Sequence, residues 1–414
     1  MPDPDPLPPV SAGQPPHAYP IATHPATASL RRTLRERIER DGPLGFADFM
    51  AAALYDPAHG YYARSTRQTG KAGDFFTSVS VGPVFGAVLA RRLLQAWQDA
   101  GRPARWRIIE CGAHDGTLAV DVLGTLSALD PRASAALEYV IPEPLPSLRA
   151  AQRTTLQHYQ KCVRVINDPL ELAAAPLPGV AFGNEVLDAL PCHLVERHAN
   201  HWLECQVVLA PDGEFAWTTA AIADPALLEA LAPLGDLFPQ GYRTEVRTCF
   251  QSFLTPLVDG LVSGLMLWID YGFARPDYYH PDRTCGTLRT FANHRAGTNQ
   301  LERPGATDIT AHVDFTAVAE AALALGGRPT VFRNQGEWLT ATARSWLLEQ
   351  EGKPQPAFLR QFQTLTHPAH LGSRFHVLEL SWNPTTEPLD NARLTRQLTI
   401  RPNCHFDRAD SFLA

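Results

Sequence analysis

Long apolar runs, basic stretches and closely spaced cysteines are all missing from this sequence. No run approaches about 18 consecutive apolar residues, so we expect no transmembrane helix. The net charge is −7, from 36 Lys and Arg against 43 Asp and Glu, and no stretch is basic. This balance argues against a protein that coats nucleic acid or inserts into an anionic membrane. The seven cysteines are odd in number and none forms a CxxC pair, so we expect neither a disulfide framework nor a metal site.

Three motifs of nucleotide-binding and hydrolytic enzymes are absent as well. The sequence has no GxGxxG, which counts against a dinucleotide-dependent oxidoreductase, although NAD binding would revive that hypothesis. It also has no GxSxG nucleophile turn and no GxxxxGK[ST] phosphate loop.

What is present indicates one large or two medium globular domains. The chain has 414 residues, of which 45% are hydrophobic and 19% charged, enough for a sizeable core. Residues 1–28 are rich in proline and contain no Lys or Arg, so they resemble neither a secretory signal nor a transit peptide. We predict a flexible tail there, with a proline-motif ligand as the alternative, and a surface arm at residues 383–414. The composition favours a bacterial cytoplasmic protein over a mitochondrial one.

Hydrophobic periodicity divides the rest of the chain into four parts. Three helices at 29–40, 46–54 and 84–97 form a helical extension over residues 29–105. Short apolar runs alternate with helices over 106–190, beginning with a run at 106–111 and a helix at 117–129, which is typical of βαβ units and a parallel sheet. We predict an inserted subdomain over 191–262, with one strand at 195–209 and a second at 214–219 forming a hairpin. Residues 263–382 are predicted to complete the sheet through the runs 265–269, 329–332 and 375–380, with a long functional loop at 271–314.

A glycine-bearing turn follows the first predicted strand of the sheet, in the segment Glu110-Cys111-Gly112-Ala113-His114-Asp115-Gly116-Thr117-Leu118. Such a turn lets a ligand approach the backbone at the start of a helix. The spacing is GxxxG, and an ordinary strand-to-helix turn is an equally good interpretation of these residues alone.

Acidic and amide side chains follow the next strands. Glu143 lies after the second apolar run, where a carboxylate can bind the hydroxyls of a ribose. Asn184, Glu185 and Asp188 lie where the fourth strand should end, although they could equally cap the following helix. Asp270 and Tyr271 follow the run 265–269 in the same way.

Two further segments are candidates for contact with a ligand. The loop around Gly73, Asp74, Phe75 and Thr77 precedes the third helix and has the composition of a loop that closes on a ligand. Asp308, Thr310, His312 and Asp314 form a polar cluster late in the chain. A lone histidine such as His312 is more often structural than catalytic.

At this point the linked motifs resemble those of the MidA family of class I S-adenosylmethionine-dependent methyltransferases. The matching segments occur in family order, from GPLGFADFMAAALYDPAHGYYAR at 42–64 and GDFFTS at 73–78 to ECGAHDGTLAVDVL at 110–123, GNEVLDALP at 183–191, IDYGF at 269–273 and DITAHVDF at 308–315. The resemblance covers about 350 residues. It implies an α/β fold with a Rossmann-like methyltransferase core, a mainly parallel sheet, an N-terminal helical extension and an inserted α+β subdomain. It also implies methylation of a protein arginine, with S-adenosylmethionine as the cofactor.

The resemblance also implies roles for individual residues. The cofactor would be bound by Gly73, Asp74, Phe75, Thr77, Glu110, Gly112, Ala113, His114, Gly116, Thr117, Leu118, Glu143 and Asn184. We expect Glu185 to act as the catalytic carboxylate with Asp188 as its helper, because both lie at the ligand-binding edge of the sheet. Asp270, Tyr271, His312 and Asp314 would face the methyl acceptor.

One departure from the family pattern leaves alternatives open. The family usually carries GxGxG in the cofactor turn, and this chain has His114 in place of the middle glycine. A non-catalytic relative with a degenerate cofactor turn is therefore one alternative. A methyltransferase that acts on a small molecule is another, because a fold does not specify a substrate.

Overall fold

The computed structural model describes residues 25–63, 77–235, 238–292, 295–297, 299–352 and 355–382. The predicted N-terminal tail up to residue 24, Gly73, Asp74 and Phe75, and the predicted arm at 383–414 lie outside these residues. The described α-helices are α1 (Pro25–Asp41), α2 (Phe46–Tyr55), α3 (Val84–Asp99), α4 (Thr117–Leu129), α5 (Pro131–Ala135), α6 (Pro146–Thr155), α7 (Pro225–Leu231), α8 (Phe250–Asp259), α9 (Arg275–Tyr278), α10 (Phe315–Ala324), α11 (Gln335–Thr342), α12 (Arg344–Glu349) and α13 (Pro356–Thr366).

The described strands make up three sheets. They are β1 (Leu44–Gly45), β2 (Trp106–Cys111), β3 (Leu137–Pro142), β4 (Val163–Ile166), β5 (Leu177–Asn184), β6 (His193–His198), β7 (His201–Leu209), β8 (Phe215–Ala221), β9 (Arg243–Val246), β10 (Leu261–Phe273), β11 (Arg289–Ala292), β12 (Arg295–Gly297), β13 (Asp308–Thr310), β14 (Val313–Asp314), β15 (Gly327–Asn334) and β16 (Phe375–Trp382). None of the helices in this described part is long and apolar enough to cross a membrane.

The central sheet has the order β15-β16-β10-β5-β2-β3-β4, with β14 added beside the end of β10. Strands β4, β3, β2, β5 and β10 are parallel to their neighbours, whereas β16 runs antiparallel to both β10 and β15. The chain runs outward from β2 to β4 and then returns to β5 on the other side of β2. The strand order therefore reverses between β2 and β5, which is where ligands bind in open α/β sheets.

Helices cover both faces of the central sheet. Successive residues of a buried strand point to opposite faces, so Ile108 packs with the α3 and α4 side chains while Ile109 packs with those of α8 and α10. Both residues are fully buried, as expected for a parallel strand between two helical layers. The expected α/β architecture with a mainly parallel sheet is confirmed.

A second hydrophobic core lies outside the central sheet. Phe46 and Phe49 of α2 pack against Leu194 of β6 and Val207 of β7, and Ile309 of β13 joins the same cluster. Strand β1 also pairs with β7. One packed unit thus contains α1 and α2 of the predicted helical extension, the inserted sheet β9-β6-β7-β8 and the segment around β11 and β13. Helix α3 belongs to the core of the central sheet.

Four of the sequence expectations need correction. The segment 195–209 is two strands, because Ala199 at φ 51° turns the chain and pairs β6 with β7. The predicted loop 271–314 contains the end of β10, α9 and strands β11 to β14. Helix α8 packs on the central sheet, although the insertion was expected to include it. Helix α1 begins at Pro25, inside the predicted tail.

Candidate active site at the carboxyl edge of the central sheet

The turn after β2 has a left-handed backbone at three positions. Gly112, His114 and Gly116 have φ values of 67°, 47° and 88°. This conformation suits glycine and is strained for other residues. Asp115 Oδ1 accepts a 3.0 Å hydrogen bond from the amide of Thr117, the first residue of α4. The turn therefore has a fixed shape although His114 replaces a glycine of the family pattern.

Gln152 of α6 connects this turn to Glu143 at the end of β3. Its Nε2 donates to the carbonyl of His114 at 2.9 Å and to Glu143 Oε2 at 3.2 Å. Glu143 Oε1 accepts from the amide of Leu145 at 2.9 Å. Burial raises the pKa of Glu143, although these hydrogen bonds oppose the rise. The structure thus brings together the two predicted cofactor contacts His114 and Glu143.

Two buried polar atoms of this corner have no hydrogen-bond partner in the described chain, namely Gln152 Oε1 and His114 Nδ1, although His114 Nδ1 lies 3.8 Å from Asp115 Oδ1. Buried polar atoms are normally paired, so a corner with unpaired ones suits a ligand that has polar groups of its own. The glycine turn, the carboxylate of Glu143 and these atoms fit a nucleoside cofactor.

Glu110 lies in β2 just before the glycine turn and is buried. Its Oε2 accepts a 2.6 Å hydrogen bond from the hydroxyl of Tyr139 in β3. Burial raises the pKa of Glu110 to about 7, against the opposing effect of this hydrogen bond. Leu118 and Ala113, which were also predicted to contact the cofactor, pack into the hydrophobic core beside α3.

The segment after β5 forms a second tight turn, opposite the glycine turn. Glu185 has a left-handed backbone, with φ 54°, and its amide donates to the carbonyl of Ile269 at 2.9 Å. Its side chain is half-buried and accepts a 3.0 Å hydrogen bond from Asn184 Nδ2. The next residue, Val186, packs close to Gly112: a Cβ on that glycine would lie 3.0 Å from Val186 Cγ2. The two turns therefore meet at the switch point between β2 and β5.

Asp270 of β10 anchors this second turn. Its Oδ2 accepts hydrogen bonds from the amides of Val186, Leu187 and Asp188 at 3.1, 2.8 and 3.2 Å, and its Oδ1 accepts from the amide of Tyr271. Its predicted role was contact with the methyl acceptor. The fully buried carboxyl instead holds the backbone that carries Glu185 and Asp188.

Burial raises the pKa values of the carboxyl groups near this turn, and neighbouring negative charges add to the rise for Glu185 and Asp270. Burial, together with the negative charge of Asp188, raises the pKa of Glu185 to about 8. Burial raises the pKa of Asp188 to about 6, against the opposing charge of Arg247. Burial and the charges of Asp188 and Glu185 raise the pKa of Asp270 well above its usual range. The charge of Asp308 also raises the pKa of Glu185. We call Glu185, Asp188, Asp270 and Asp308 the acidic cluster; it is suited to a cationic group.

The described end of the predicted closing loop lies against the same turn. The backbone amide of Ser78 interacts with the Glu185 carboxyl and opposes the rise of its pKa. Ser78 is fully buried, and its hydroxyl donates to Gln335 Oε1 at 3.0 Å. Thr77, which was predicted to contact the cofactor, exchanges hydrogen bonds with Ser80 in a local turn.

The other predicted acceptor contacts lie beside the acidic cluster, with different surroundings. The ring of Tyr271 stacks on that of His312, with centroids 6.3 Å apart and planes 12° apart. His312 Nδ1 is buried without a hydrogen-bond partner in the described chain, and burial lowers the pKa of the ring to about 3. Asp314 caps α10 through the amide of Thr316 and pairs with Arg275 at 3.2 Å, so its carboxyl supports the fold.

Arg247 is a site residue that the sequence analysis missed. Its buried guanidinium donates to four backbone carbonyls, those of Asp188, Leu190, Ala311 and His312, at 2.6 to 2.9 Å. It therefore ties the turn of Asp188 to the segment of His312. Arg247 is distant from both segments in sequence, and no pattern around it indicates this contact.

Glu245, two residues earlier on β9, has a similar role. Its carboxylate accepts hydrogen bonds from the amides of Thr287 and Leu288 and from the hydroxyl of Thr287, at 2.8 to 3.1 Å. Thr287 Oγ1 in turn accepts from the amide of His312 at 2.9 Å. Side chains of β9 thus hold the backbone of the whole segment around His312.

Comparison with known proteins gives consistent results. The model of a family described as "Putative S-adenosyl-L-methionine-dependent methyltransferase" matches residues 88–332. The protein arginine methyltransferase NDUFAF7 homolog, mitochondrial, of Drosophila melanogaster is 28% identical over 404 residues, which cover 89% of each protein. The Homo sapiens protein arginine methyltransferase NDUFAF7, mitochondrial, is 26% identical over 393 residues, which cover 87% of this chain and 84% of the human protein. A crystal structure from Burkholderia thailandensis, bound to S-adenosyl-homocysteine, has 31% identity and a TM-score of 0.77, and covers 88% of this chain and 94% of the other.

Proposed function

The chain belongs to this family of S-adenosyl-L-methionine-dependent methyltransferases, and on that premise we propose that it methylates an arginine side chain of a protein substrate. The observation that carries the proposal is the acidic cluster beside the cofactor corner. The names of the relatives at 26–28% identity, which are protein arginine methyltransferases, support the same acceptor.

The cofactor corner supports binding roles for several residues of this chain. Glu143 would bind the ribose hydroxyls, and the backbone of the turn from Gly112 to Gly116 would line the methionine part. Gln152 Oε1, which has no hydrogen-bond partner in the described chain, would pair with the cofactor's polar groups. When bound, S-adenosylmethionine supplies a methyl group that is open to nucleophilic attack.

The acidic cluster would orient the acceptor. A guanidinium group keeps its proton at physiological pH and is therefore a poor nucleophile. The carboxylate of Glu185 would hold the guanidinium by charge-assisted hydrogen bonds and accept the proton that methylation releases. Asp270 is occupied by four backbone amides, and Asp308 accepts from the Tyr62 hydroxyl and the Ile309 amide. Glu185, with Asp188 as its helper, is therefore the carboxyl group we assign to this role.

The test compares Glu185→Gln with Glu229→Gln, which changes an exposed glutamate of α7. Methylarginine peptides are quantified by mass spectrometry in cells that lack the protein and express wild type or either variant, and the affinity for S-adenosyl-homocysteine is measured by calorimetry. We expect wild type and Glu229→Gln to restore the same methylarginine peptides. Glu185→Gln should restore none while binding S-adenosyl-homocysteine with unchanged affinity.

Three outcomes would contradict this proposal. Retained methylation by Glu185→Gln would remove the catalytic assignment. Methyl transfer found only on a small molecule would replace the arginine acceptor. Absence of any methyl transfer by a protein that binds the cofactor would favour a non-catalytic relative.

The location of the protein stays a prediction. The composition favours the bacterial cytoplasm, whereas the curated relatives are named as mitochondrial proteins. Fractionation of the source cells with an antibody against this chain tests the prediction directly.

A further inference from the structure

Resting on the proposed function, we propose that Arg283, Arg289 and Arg374 bind carboxylate side chains of the protein substrate beside the acceptor arginine. We call these three residues the cationic rim. The preferred substrate is then a segment with a central arginine and acidic neighbours.

The strand pairing places Arg374 beside the candidate active site. Tyr271 of β10 pairs with Phe375 of β16, and their ring centroids lie 4.0 Å apart. Arg374 directly precedes Phe375, and its charge acts on the Tyr271 hydroxyl, as do the charges of Glu185 and Asp188. Tyr271 therefore stands between the acidic cluster and the cationic rim.

The other two arginines, Arg283 and Arg289, lie near His312. The guanidinium of Arg283 lies over the ring of Phe273, 4.7 Å from its centroid, and that ring lies 5.4 Å from the ring of His312. Arg289 begins β11 and pairs with Thr310, two residues before His312. The charges of both arginines act on His312.

The cationic rim lacks acidic partners of its own. Among the described residues, no carboxylate lies within 4.0 Å of the guanidinium nitrogens of these three arginines. Arg283 Nη2 donates to the carbonyl of Asp277 at 3.4 Å and Arg289 Nη1 to that of Leu288 at 2.8 Å. Arg283 Nε and His312 Nδ1 are buried without a partner in the same part of the chain. An unpaired guanidinium nitrogen such as Arg283 Nε is suited to a carboxylate supplied by a bound molecule.

The arrangement of charge favours an acidic peptide over nucleic acid. A nucleic acid would bring its phosphates against the acidic cluster, and the chain has a net charge of −7. A peptide with a central arginine and acidic neighbours matches both charged surfaces at once, because each surface meets a charge of the opposite sign.

The experiment measures binding of labelled 11-residue peptides by fluorescence anisotropy with S-adenosyl-homocysteine present. The central residue is arginine or norleucine, and the flanking residues are aspartate, alanine or lysine. The protein is wild type, the double variant Arg289→Gln/Arg374→Gln, or the control Arg105→Gln/Arg360→Gln. All four substituted arginines are exposed, and Arg105 precedes β2 at the opposite edge of the sheet.

We expect wild type and the control to bind the Asp-flanked arginine peptide about tenfold more tightly than the Lys-flanked one, as two exposed ion pairs can provide. Arg289→Gln/Arg374→Gln should reduce this preference to about twofold. The proposal would be overturned if wild type bound the two peptides equally or if the preference stayed unchanged in that variant. It would also be overturned if the Asp-flanked peptide showed no measurable binding. Tighter binding of a single-stranded oligonucleotide would overturn it as well.

The norleucine peptides separate this proposal from the arginine acceptor. The cationic rim is supported, whatever the acceptor is, if the preference for aspartate persists with norleucine and disappears in Arg289→Gln/Arg374→Gln. Equal affinity for the arginine and norleucine peptides would contradict the arginine acceptor alone.

Discussion

Backbone conformation at single residues decides where the two turns of the candidate active site meet. Gly112 and His114 adopt left-handed φ values in one turn, and Glu185 does so in the other. For a residue with a side chain this conformation costs about 1–2 kcal/mol, so the surrounding hydrogen bonds must hold it. His114 is held by Gln152 and Glu185 by the carbonyl of Ile269.

Gly112→Ala should weaken both stability and cofactor binding. The new methyl group would adopt a strained φ and would also lie 3.0 Å from Val186 Cγ2, so the turn that carries Glu185 must shift. The control is Gly101→Ala, because Gly101 also has a positive φ, of 82°, but has nothing within 4 Å of the added Cβ. We expect each variant to lose about 1 kcal/mol of unfolding free energy to strain. Only Gly112→Ala should also lose affinity for S-adenosyl-homocysteine in calorimetry; equal affinity in both variants would contradict the contact.

The acidic cluster predicts a specific pH dependence of catalysis. The raised pKa of Glu185, about 8 without substrate, means that its neutral form prevails below that pH. Since only the carboxylate form attracts a guanidinium, kcat/KM should rise with pH and level off above about 8. Initial rates measured from pH 6 to 9.5 check this, and a flat profile would exclude Glu185 as the group that binds the acceptor.

Asp188→Asn should move this rising limb to lower pH. The charge of Asp188 raises the pKa of Glu185, and its removal lets Glu185 ionise more easily. Asp259→Asn, at the exposed last residue of α8, should leave the profile unchanged. A limb that stays in place in Asp188→Asn would show that the two carboxyl groups do not interact.

At the scale of secondary-structure elements, one side chain of the central sheet and one that follows a strand of the inserted sheet hold the candidate active site in place. Asp270 of β10 binds the amides of the turn after β5, and Arg247 of the segment after β9 binds its carbonyls. Both contacts satisfy buried backbone groups that a non-helical turn would otherwise leave unpaired. The turn is thereby fixed by the central sheet on one side and by the inserted sheet on the other.

Arg247→Met should therefore destabilise the protein strongly. It leaves four buried carbonyls without their donor and the buried Asp188 without a neighbouring positive charge, which together cost about 3–5 kcal/mol. The control Arg243→Met removes a partly exposed arginine of β9 that pairs with Glu196, and should cost less than about 1 kcal/mol. Urea unfolding of both variants measures the difference, and similar losses would contradict the anchoring role of Arg247.

At the scale of the whole molecule, the candidate active site lies between two packed units. The central sheet supplies the cofactor corner and the turn of Glu185. The second core, formed by α1, α2, the inserted sheet and the segment around β13, supplies Asp308 and the backbone that carries His312. A ligand that contacts both units should stabilise the molecule as a whole.

S-adenosyl-homocysteine should raise the melting temperature, and NAD should leave it unchanged. At a ligand concentration 100 times Kd, binding to the native state alone adds about 2.7 kcal/mol to the unfolding free energy. Differential scanning fluorimetry over a concentration series of each ligand measures the shift. A shift with NAD alone would revive the oxidoreductase hypothesis, and no shift with either would favour a degenerate cofactor turn.

The sequence by itself determined the central α/β unit and much of the cofactor corner. The bounds of β2 and α4 agree with the predicted run 106–111 and helix 117–129, because apolar periodicity and the glycine turn are local signals. Because the carboxyl ends of parallel strands meet at one edge of a sheet, the positions of Glu143, Asn184 and Glu185 after predicted strands placed them at that edge. The roles of the individual site residues stay predictions.

Only the tertiary structure decided which side chains hold the backbone of the candidate active site. It assigned Asp270 and Asp314 to backbone amides, added Arg247 and Glu245 as anchors, and divided the segment 195–209 into two strands. It also placed Arg374 next to Tyr271, more than 100 positions away in the chain. These contacts depend on which distant segments of the chain fold against each other. Burial and strand pairing arise only when the whole chain packs, so a local sequence pattern contains no information about such partners.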